Sequence, residues 1–87
     1  MATVSIPLLF QDVTGGSRRA EVAGSTVEEI VAALDKLHPG IQARLCDGDK
    51  LSSTVAVTVD GKIAAQGLHT PVRLESEVCL LPSFGGG

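Results

Sequence analysis

One amphipathic helix between Ser25 and Pro39 constrains the fold more than any other stretch of the sequence. Its apolar residues recur at helical spacing on a single stripe: Val27, Ile30, Val31, Leu34 and Leu37. Ser25 and Glu28 fit a capping box at its start, and Pro39-Gly40 is a stop signal. A helix with one apolar stripe cannot bury that stripe alone, so it must pack across the face of a sheet.

The first quarter of the chain predicts a β-hairpin. Residues 3–10 alternate in polarity, and four of them are expected to point inward: Val4, Ile6, Leu8 and Phe10. Pro7 cannot donate to a ladder, so it belongs at an edge or a bulge. Residues 14–17 supply a tight reversal, and residues 18–22 alternate again as the returning strand.

The second half of the chain predicts a short helical turn followed by strands. Residues 41–45 are expected to form the turn, and residues 54–59 alternate strictly. Asp60-Gly61 is a hairpin signal that leads into a short strand beginning at Lys62. Residues 78–81 are expected to form the final strand.

The order of these elements predicts an α+β chain with a ubiquitin-like β-grasp fold. We expect a mixed sheet of four to five strands, with the main helix packed across one face and the first and last strands parallel and adjacent. Residues 1–82 are expected to form this domain, and residues 83–87 a flexible C-terminal glycine tail.

Composition limits the classes of partner. The 87 residues carry a net charge of −3 with a pI near 5.1, whereas nucleic-acid binders usually show a basic patch. No signal-peptide core and no apolar run of membrane-spanning length occurs in the sequence. We therefore expect a cytoplasmic protein that binds neither nucleic acid nor membrane.

The residue types that usually bind metals or attack substrates are scattered. Cys46 and Cys79 lack a CxxC or Cys/His spacing, so we expect buried small hydrophobes, with a pair of reactive thiols as the alternative. His38 and His69 have no partner arrangement, and residues 47–50 read as a solvated turn without the other ligands of a calcium loop. No metal site is expected.

The last six residues carry the candidate chemistry: Pro82-Ser83-Phe84-Gly85-Gly86-Gly87. Glycine has no Cβ, so Gly85 and Gly86 can thread a channel too narrow for any side chain and present the Gly87 carboxylate inside another protein. An incidental frayed end is the alternative interpretation.

A docking surface is predicted beside this tail. If Val78 and Leu80 face the helix, Cys79 and Leu81 face away from it, next to Ala56 and close to Phe84. An outward apolar strip of this kind is typical of a partner-binding surface.

The whole pattern resembles the ThiS/MoaD family of ubiquitin-like sulfur carriers. The resemblance rests on the β-grasp pattern that ends in Gly86-Gly87, and covers nearly the whole chain. Three further motifs look most like the CysO type of actinobacterial cysteine biosynthesis: Val4-Ser5-Ile6-Pro7, Thr14-Gly15-Gly16 and Leu81-Pro82.

This resemblance implies a carrier and not an enzyme. An E1-like enzyme, using ATP and Mg²⁺, would adenylate the Gly87 carboxylate, and a sulfur nucleophile would displace AMP to leave a thiocarboxylate. The recipient would be a PLP-dependent cysteine synthase or an enzyme of sulfur-containing natural-product biosynthesis. The carrier itself is expected to be a monomer with no bound cofactor and no catalytic residue.

Three alternatives remain open at this point. The chain resembles the small subunit of molybdopterin synthase as well, which would form a stable complex with a larger subunit. A ubiquitin-like modifier joined to lysines through Gly87 needs the same tail. In the third alternative, an inert β-grasp interaction module, capping the C-terminus would change nothing.

Overall fold

The computed structural model describes residues 1–82, which form a mixed sheet with the long helix across one face. The strands are β1 (Ala2–Ser5), β2 (Arg19–Val22), β3 (Cys46–Asp47), β4 (Lys50–Leu51), β5 (Val55–Val59), β6 (Lys62–Ile63) and β7 (Glu77–Pro82). The helices are α1 (Gln11–Thr14), α2 (Val27–Leu37) and α3 (Ile41–Leu45), with 3₁₀ turns at Leu8–Phe10 and Gly67–His69.

The sheet has the order β2-β1-β7-β5-β6, with β3 and β4 as a separate small hairpin. β1 and β7 are parallel, with Thr3 beside Glu77 and Ser5 beside Cys79, while the other pairings are antiparallel. The predicted β-grasp arrangement is confirmed, including the adjacent parallel first and last strands. The parallel pairing is compact because α2 belongs to the crossover that links the two strands.

The core lies between α2 and the inner face of the sheet. The helix buries Val27, Ile30, Val31 and Leu34, and the sheet contributes Val4, Val57, Val78 and Leu80. The prediction that Leu37 completes the stripe is wrong, because its side chain is 56% exposed. Leu37 comes ten residues after Val27, which places it about 80° from Val27 around the helix axis, at the edge of the stripe.

The first strand is shorter than predicted. It ends at Ser5, the Ile6 N–H still donates to the Arg18 carbonyl at 2.8 Å, and the chain then forms a 3₁₀ turn and α1. Pro7 has no N–H to extend the ladder, which accounts for the early end. Phe10 is buried as predicted, but Leu8 is 82% exposed, so its predicted inward position is wrong.

The predicted reversal at residues 14–17 is instead the end of a helix. Gly15 has a φ of 65°, and its N–H donates to the Gln11 carbonyl. This left-handed residue is the common way to close a helix, and glycine adopts it without steric cost.

The cap of α2 lies one residue later than predicted. Thr26 is the N-cap, and its Oγ1 accepts from the Glu29 N–H at 3.2 Å. Glu29 Oε1 in turn accepts from the N–H of Ser25 at 2.8 Å, which is the largest cause that lowers the Glu29 pKa. The helix cannot begin earlier because Thr26 is held extended in a bridge with Pro71, next to a hydrogen bond from the Val72 N–H to the Ser25 carbonyl at 2.9 Å.

Replacing Thr26 with alanine is expected to lower the free energy of unfolding by about 1 kcal/mol, because the Glu29 N–H loses its acceptor. Thr26→Ser keeps the hydroxyl and is the matched control. Urea denaturation followed by circular dichroism measures both variants. Equal midpoints for Thr26→Ala and Thr26→Ser would show that the cap contributes nothing.

Candidate functional site

Strand β7 turns alternate side chains to opposite faces of the sheet. Val78 and Leu80 are 1% and 2% exposed in the core, whereas Leu81 is 43% exposed and Cys79 is half-buried. The inward and outward assignments made from the sequence for these four residues agree with this pattern of exposure.

Ala56 lies directly across from Leu81 in the antiparallel pairing of β5 and β7. In the same register Thr58 lies across from Cys79, whose other neighbour is Ser5 on β1. Directly opposed residues point to the same face of a sheet, so Ala56, Cys79 and Leu81 share one surface. The remaining predicted site residues, Phe84 and Gly85, Gly86 and Gly87, lie outside the described residues.

Ile63 belongs to the same surface and was missed by sequence reasoning. It lies across from Thr58 in the β5–β6 hairpin and is 78% exposed. Asp60 and Gly61 both have positive φ, at 53° and 82°, as a two-residue hairpin loop requires. The residues next to this loop, Val59 and Lys62, form a pair, and the next pair outward is Thr58 and Ile63. The hairpin motif in the sequence could therefore have placed Ile63 on this surface. We use the term outer face for Ala56, Thr58, Ile63, Cys79 and Leu81.

Charged residues border the outer face unevenly. Exposed Arg19 lies beside Ser5, at the end of the sheet where β7 leaves the described chain. Exposed Glu21 and Glu77 lie on either side of Thr3, at the opposite end. The face is therefore apolar in its middle, basic at one end and acidic at the other.

A polar cluster holds the start of β7. Asp60 accepts hydrogen bonds from the Glu77 N–H at 2.9 Å and from the Ser76 hydroxyl at 2.8 Å. Ser76 is 2% exposed, and its Oγ accepts from the Arg73 N–H at 2.9 Å. The Glu77 N–H, the Ser76 hydroxyl and the nearby Arg73 charge all lower the pKa of Asp60. The carboxylate thus joins the β5–β6 turn to the strand that leads into the tail.

Asp60→Asn is expected to destabilise the protein at neutral pH, and the difference from the wild type is expected to shrink in acid. The lowered folded-state pKa means that the Asp60 carboxylate contributes stability fully above its ordinary value of 3.8. That contribution decreases as the pH falls below 3.8 and is lost below the folded-state pKa. Asparagine tolerates the positive φ at this position, so the variant tests the charge and the hydrogen bonds.

Urea midpoints of the wild type and Asp60→Asn between pH 7 and pH 3 measure this effect. A difference that stays constant across the range would show that the ionised carboxylate of Asp60 is not the stabilising group.

Neither cysteine is fully buried, so the expectation of buried cysteines holds only in part. Cys46 is half-buried against the core, and burial followed by the charge of Glu28 raises the pKa of its thiol, which disfavours the reactive thiolate. Cys79 is half-buried on the outer face. Within residues 1–82, no three His, Cys, Asp or Glu side chains gather as metal ligands. No helix in this described part is long and apolar enough to cross a membrane.

Comparison with known proteins gives concordant matches. The ThiS family model matches residues 8–87. The sulfur carrier protein CysO of Mycobacterium tuberculosis is 31% identical, over 98% of this chain and 97% of the relative. CysO in the crystal structure of the Amycolatopsis orientalis BexX/CysO complex is 35% identical, with a TM-score of 0.92 and full coverage of both chains. SAMP1 of Haloferax volcanii is 29% identical, with a TM-score of 0.75, and covers 99% of this chain and 98% of its own.

These matches agree with the fold and with the sequence motifs. The family match includes all of β2 to β7 and the terminal glycines. The predicted relationship is confirmed: the chain belongs to the ThiS family, and over its whole length it is similar to sulfur carrier proteins of the CysO type.

Proposed function

We propose that this protein carries sulfur as a thiocarboxylate on Gly87. The observation that carries the proposal is a CysO-like domain whose last strand, β7, leads directly into the sequence Ser83-Phe84-Gly85-Gly86-Gly87. Burial raises the pKa of the Cys46 thiol, which disfavours a reactive thiolate there and fits a cosubstrate better than a catalyst. The chemistry is supplied by partner enzymes.

The proposed loading has two steps. A carboxylate is a poor acyl donor, so a Gly87 oxygen first attacks the α-phosphorus of ATP, which gives an acyl-adenylate and releases pyrophosphate. Hydrosulfide then attacks the acyl carbon, forms a C–S bond and expels AMP. An E1-like enzyme supplies the Mg²⁺ and the basic groups that stabilise the developing negative charge.

The outer face is the proposed docking surface for this enzyme. Ala56, Cys79 and Leu81 form its apolar middle, and Ile63 extends it toward the edge of the sheet. In this proposal Phe84 contacts the partner next to the outer face, and Gly85 and Gly86 thread the channel to the active site. A partner that complements the face needs acidic groups opposite Arg19 and basic groups opposite Glu21 and Glu77.

The proposed recipient is a PLP-dependent cysteine synthase, whose bound aminoacrylate accepts the sulfur. The support is similarity to CysO of Mycobacterium tuberculosis over nearly the whole of both chains. The Amycolatopsis orientalis CysO was solved in complex with a second protein, BexX, which supports protein docking by carriers of this type. An enzyme of sulfur-containing natural-product biosynthesis is the other recipient consistent with these relatives.

Intact-mass spectrometry tests the loading step. The protein is incubated with ATP, Mg²⁺, sulfide and the E1-like enzyme of the same organism, with a reaction lacking ATP as the control. We expect a gain equal to sulfur replacing one oxygen, confined to the C-terminal peptide. No gain, with an enzyme that loads another carrier under the same conditions, would refute the proposal.

A second function is favoured by the similarity to SAMP1, the small archaeal modifier protein 1 of Haloferax volcanii, at 29% identity. In that function the activated Gly87 forms an isopeptide bond with a lysine of another protein. Expression of an epitope-tagged chain in its own organism would then produce conjugates in the lysate. If no conjugates form under conditions in which the chain gains sulfur, the modifier function is refuted and only the carrier function remains.

A further inference from the structure

Two adjacent leucines are exposed on the 3₁₀ turn that follows β1. Leu8 is 82% exposed and Leu9 is 48% exposed, and we call this pair the Leu8 ridge. Leu8 is the most exposed large apolar residue among residues 1–82. Single exposed leucines are common, but two neighbours at one place on the surface form a patch that folding does not require.

The Leu8 ridge lies at the end of the sheet where β7 leaves the described chain. β1 and β7 run in the same direction, with Ser5 beside Cys79. The chain remains extended through Pro7, whose φ and ψ are −73° and 164°. Leu8 and Pro82 are each three residues beyond this matched pair, so both lie beyond the same end of the parallel pairing.

Arg44 holds the turn that carries the ridge. Its guanidinium donates to the Leu9 carbonyl at 3.2 Å, pairs with Asp12 at 3.1 Å and lies 5.4 Å from the centroid of the Phe10 ring. The Phe10 side chain is itself 2% exposed. The ridge is therefore fixed to α3 and to the core, and its exposed leucines are preorganised for a partner.

We propose that the Leu8 ridge inserts into an apolar pocket beside the channel through which the adenylating enzyme admits the glycine tail. This inference rests on the proposed function. The five residues beyond Pro82 span at most about 18 Å when fully extended. An enzyme that holds Gly87 at its active site must therefore cover the end of the sheet where the ridge lies. Burying a leucine there contributes to docking through the hydrophobic effect.

Leu74 provides a matched control. It is 73% exposed and lies in the turn before β7, at the opposite end of the strand from Pro82. The same substitution at Leu8 and at Leu74 therefore removes the same side chain from two highly exposed sites. Both Leu8→Ser and Leu74→Ser are expected to unfold at the temperature of the wild type, because neither side chain is in the core.

The experiment measures the Kd of each variant for the purified adenylating enzyme by calorimetry, and the kcat and KM of thiocarboxylate formation by intact mass. We expect Leu8→Ser to raise the Kd and KM at least about tenfold while kcat is retained at saturation, as for loss of a docking anchor. Leu74→Ser is expected to match the wild type.

The outcomes separate the two proposals. Equal Kd values for Leu8→Ser and the wild type, or equal losses for Leu8→Ser and Leu74→Ser, would overturn the role of the ridge. Wild-type protein that binds the enzyme but gains no sulfur would refute the thiocarboxylate proposal, while the Kd values still decide the ridge. A wild type that does not bind the enzyme would overturn both.

Discussion

A variant that ends at Gly86 is expected to gain sulfur at least about a hundredfold more slowly than the wild type, although it still ends in two glycines. Removal of Gly87 withdraws the terminal carboxylate by about 3.3–3.6 Å. Adenylation requires the attacking carboxylate oxygen to lie close to the α-phosphorus of ATP. A displacement of this oxygen by about 1 Å lowers the rate about a hundredfold. Intact mass after incubation with the E1-like enzyme, ATP, Mg²⁺ and sulfide measures the loss.

Ser83→Ala is the matched control for this truncation. It keeps the length of the tail and its three terminal glycines while removing one hydroxyl group. We expect it to load, because the terminal carboxylate stays at the same distance along the chain from Pro82. Equal loading by the wild type and the variant ending at Gly86 would show that the position of the terminal carboxylate does not determine the reaction.

The largest expected effect on stability is that of Leu34→Ala, which should lower the free energy of unfolding by about 2–5 kcal/mol. Leu34 has no exposed surface and lies on the stripe of α2 that packs against the sheet. Its removal leaves a cavity between helix and sheet. A small domain has a total stability of about 5–15 kcal/mol, so this loss is a large fraction of it.

Leu37→Ala, in the same helix, is the control for Leu34→Ala. Leu37 is 56% exposed, and leucine and alanine both favour helix, so we expect a change of less than about 1 kcal/mol. Urea denaturation measures both variants. A loss at Leu37 equal to that at Leu34 would contradict the description of α2 as a helix with one buried stripe.

The amino-acid sequence by itself determined the architecture. The apolar spacing of α2 required a sheet to pack against, and the polarity of the strands, with the hairpin loop at Asp60-Gly61, indicated the order of the elements. These signals are local and periodic, so they can be read without the fold. The same alternation indicated that Cys79 and Leu81 share a face with Ala56, which agrees with the register of β5 and β7.

Only the tertiary structure decided where local patterns stop and which surfaces they bring together. The alternation through Leu8 predicted a buried side chain, but Pro7 ends the ladder and the chain turns, so Leu8 is exposed. The N-cap of α2 is Thr26 instead of Ser25 because a bridge to Pro71 holds Thr26 extended. The Leu8 ridge, held by Arg44, lies at the tail end of the sheet because β1 is parallel to β7. In the last two cases the deciding contacts join residues distant in the chain, and a local pattern carries no information about such contacts.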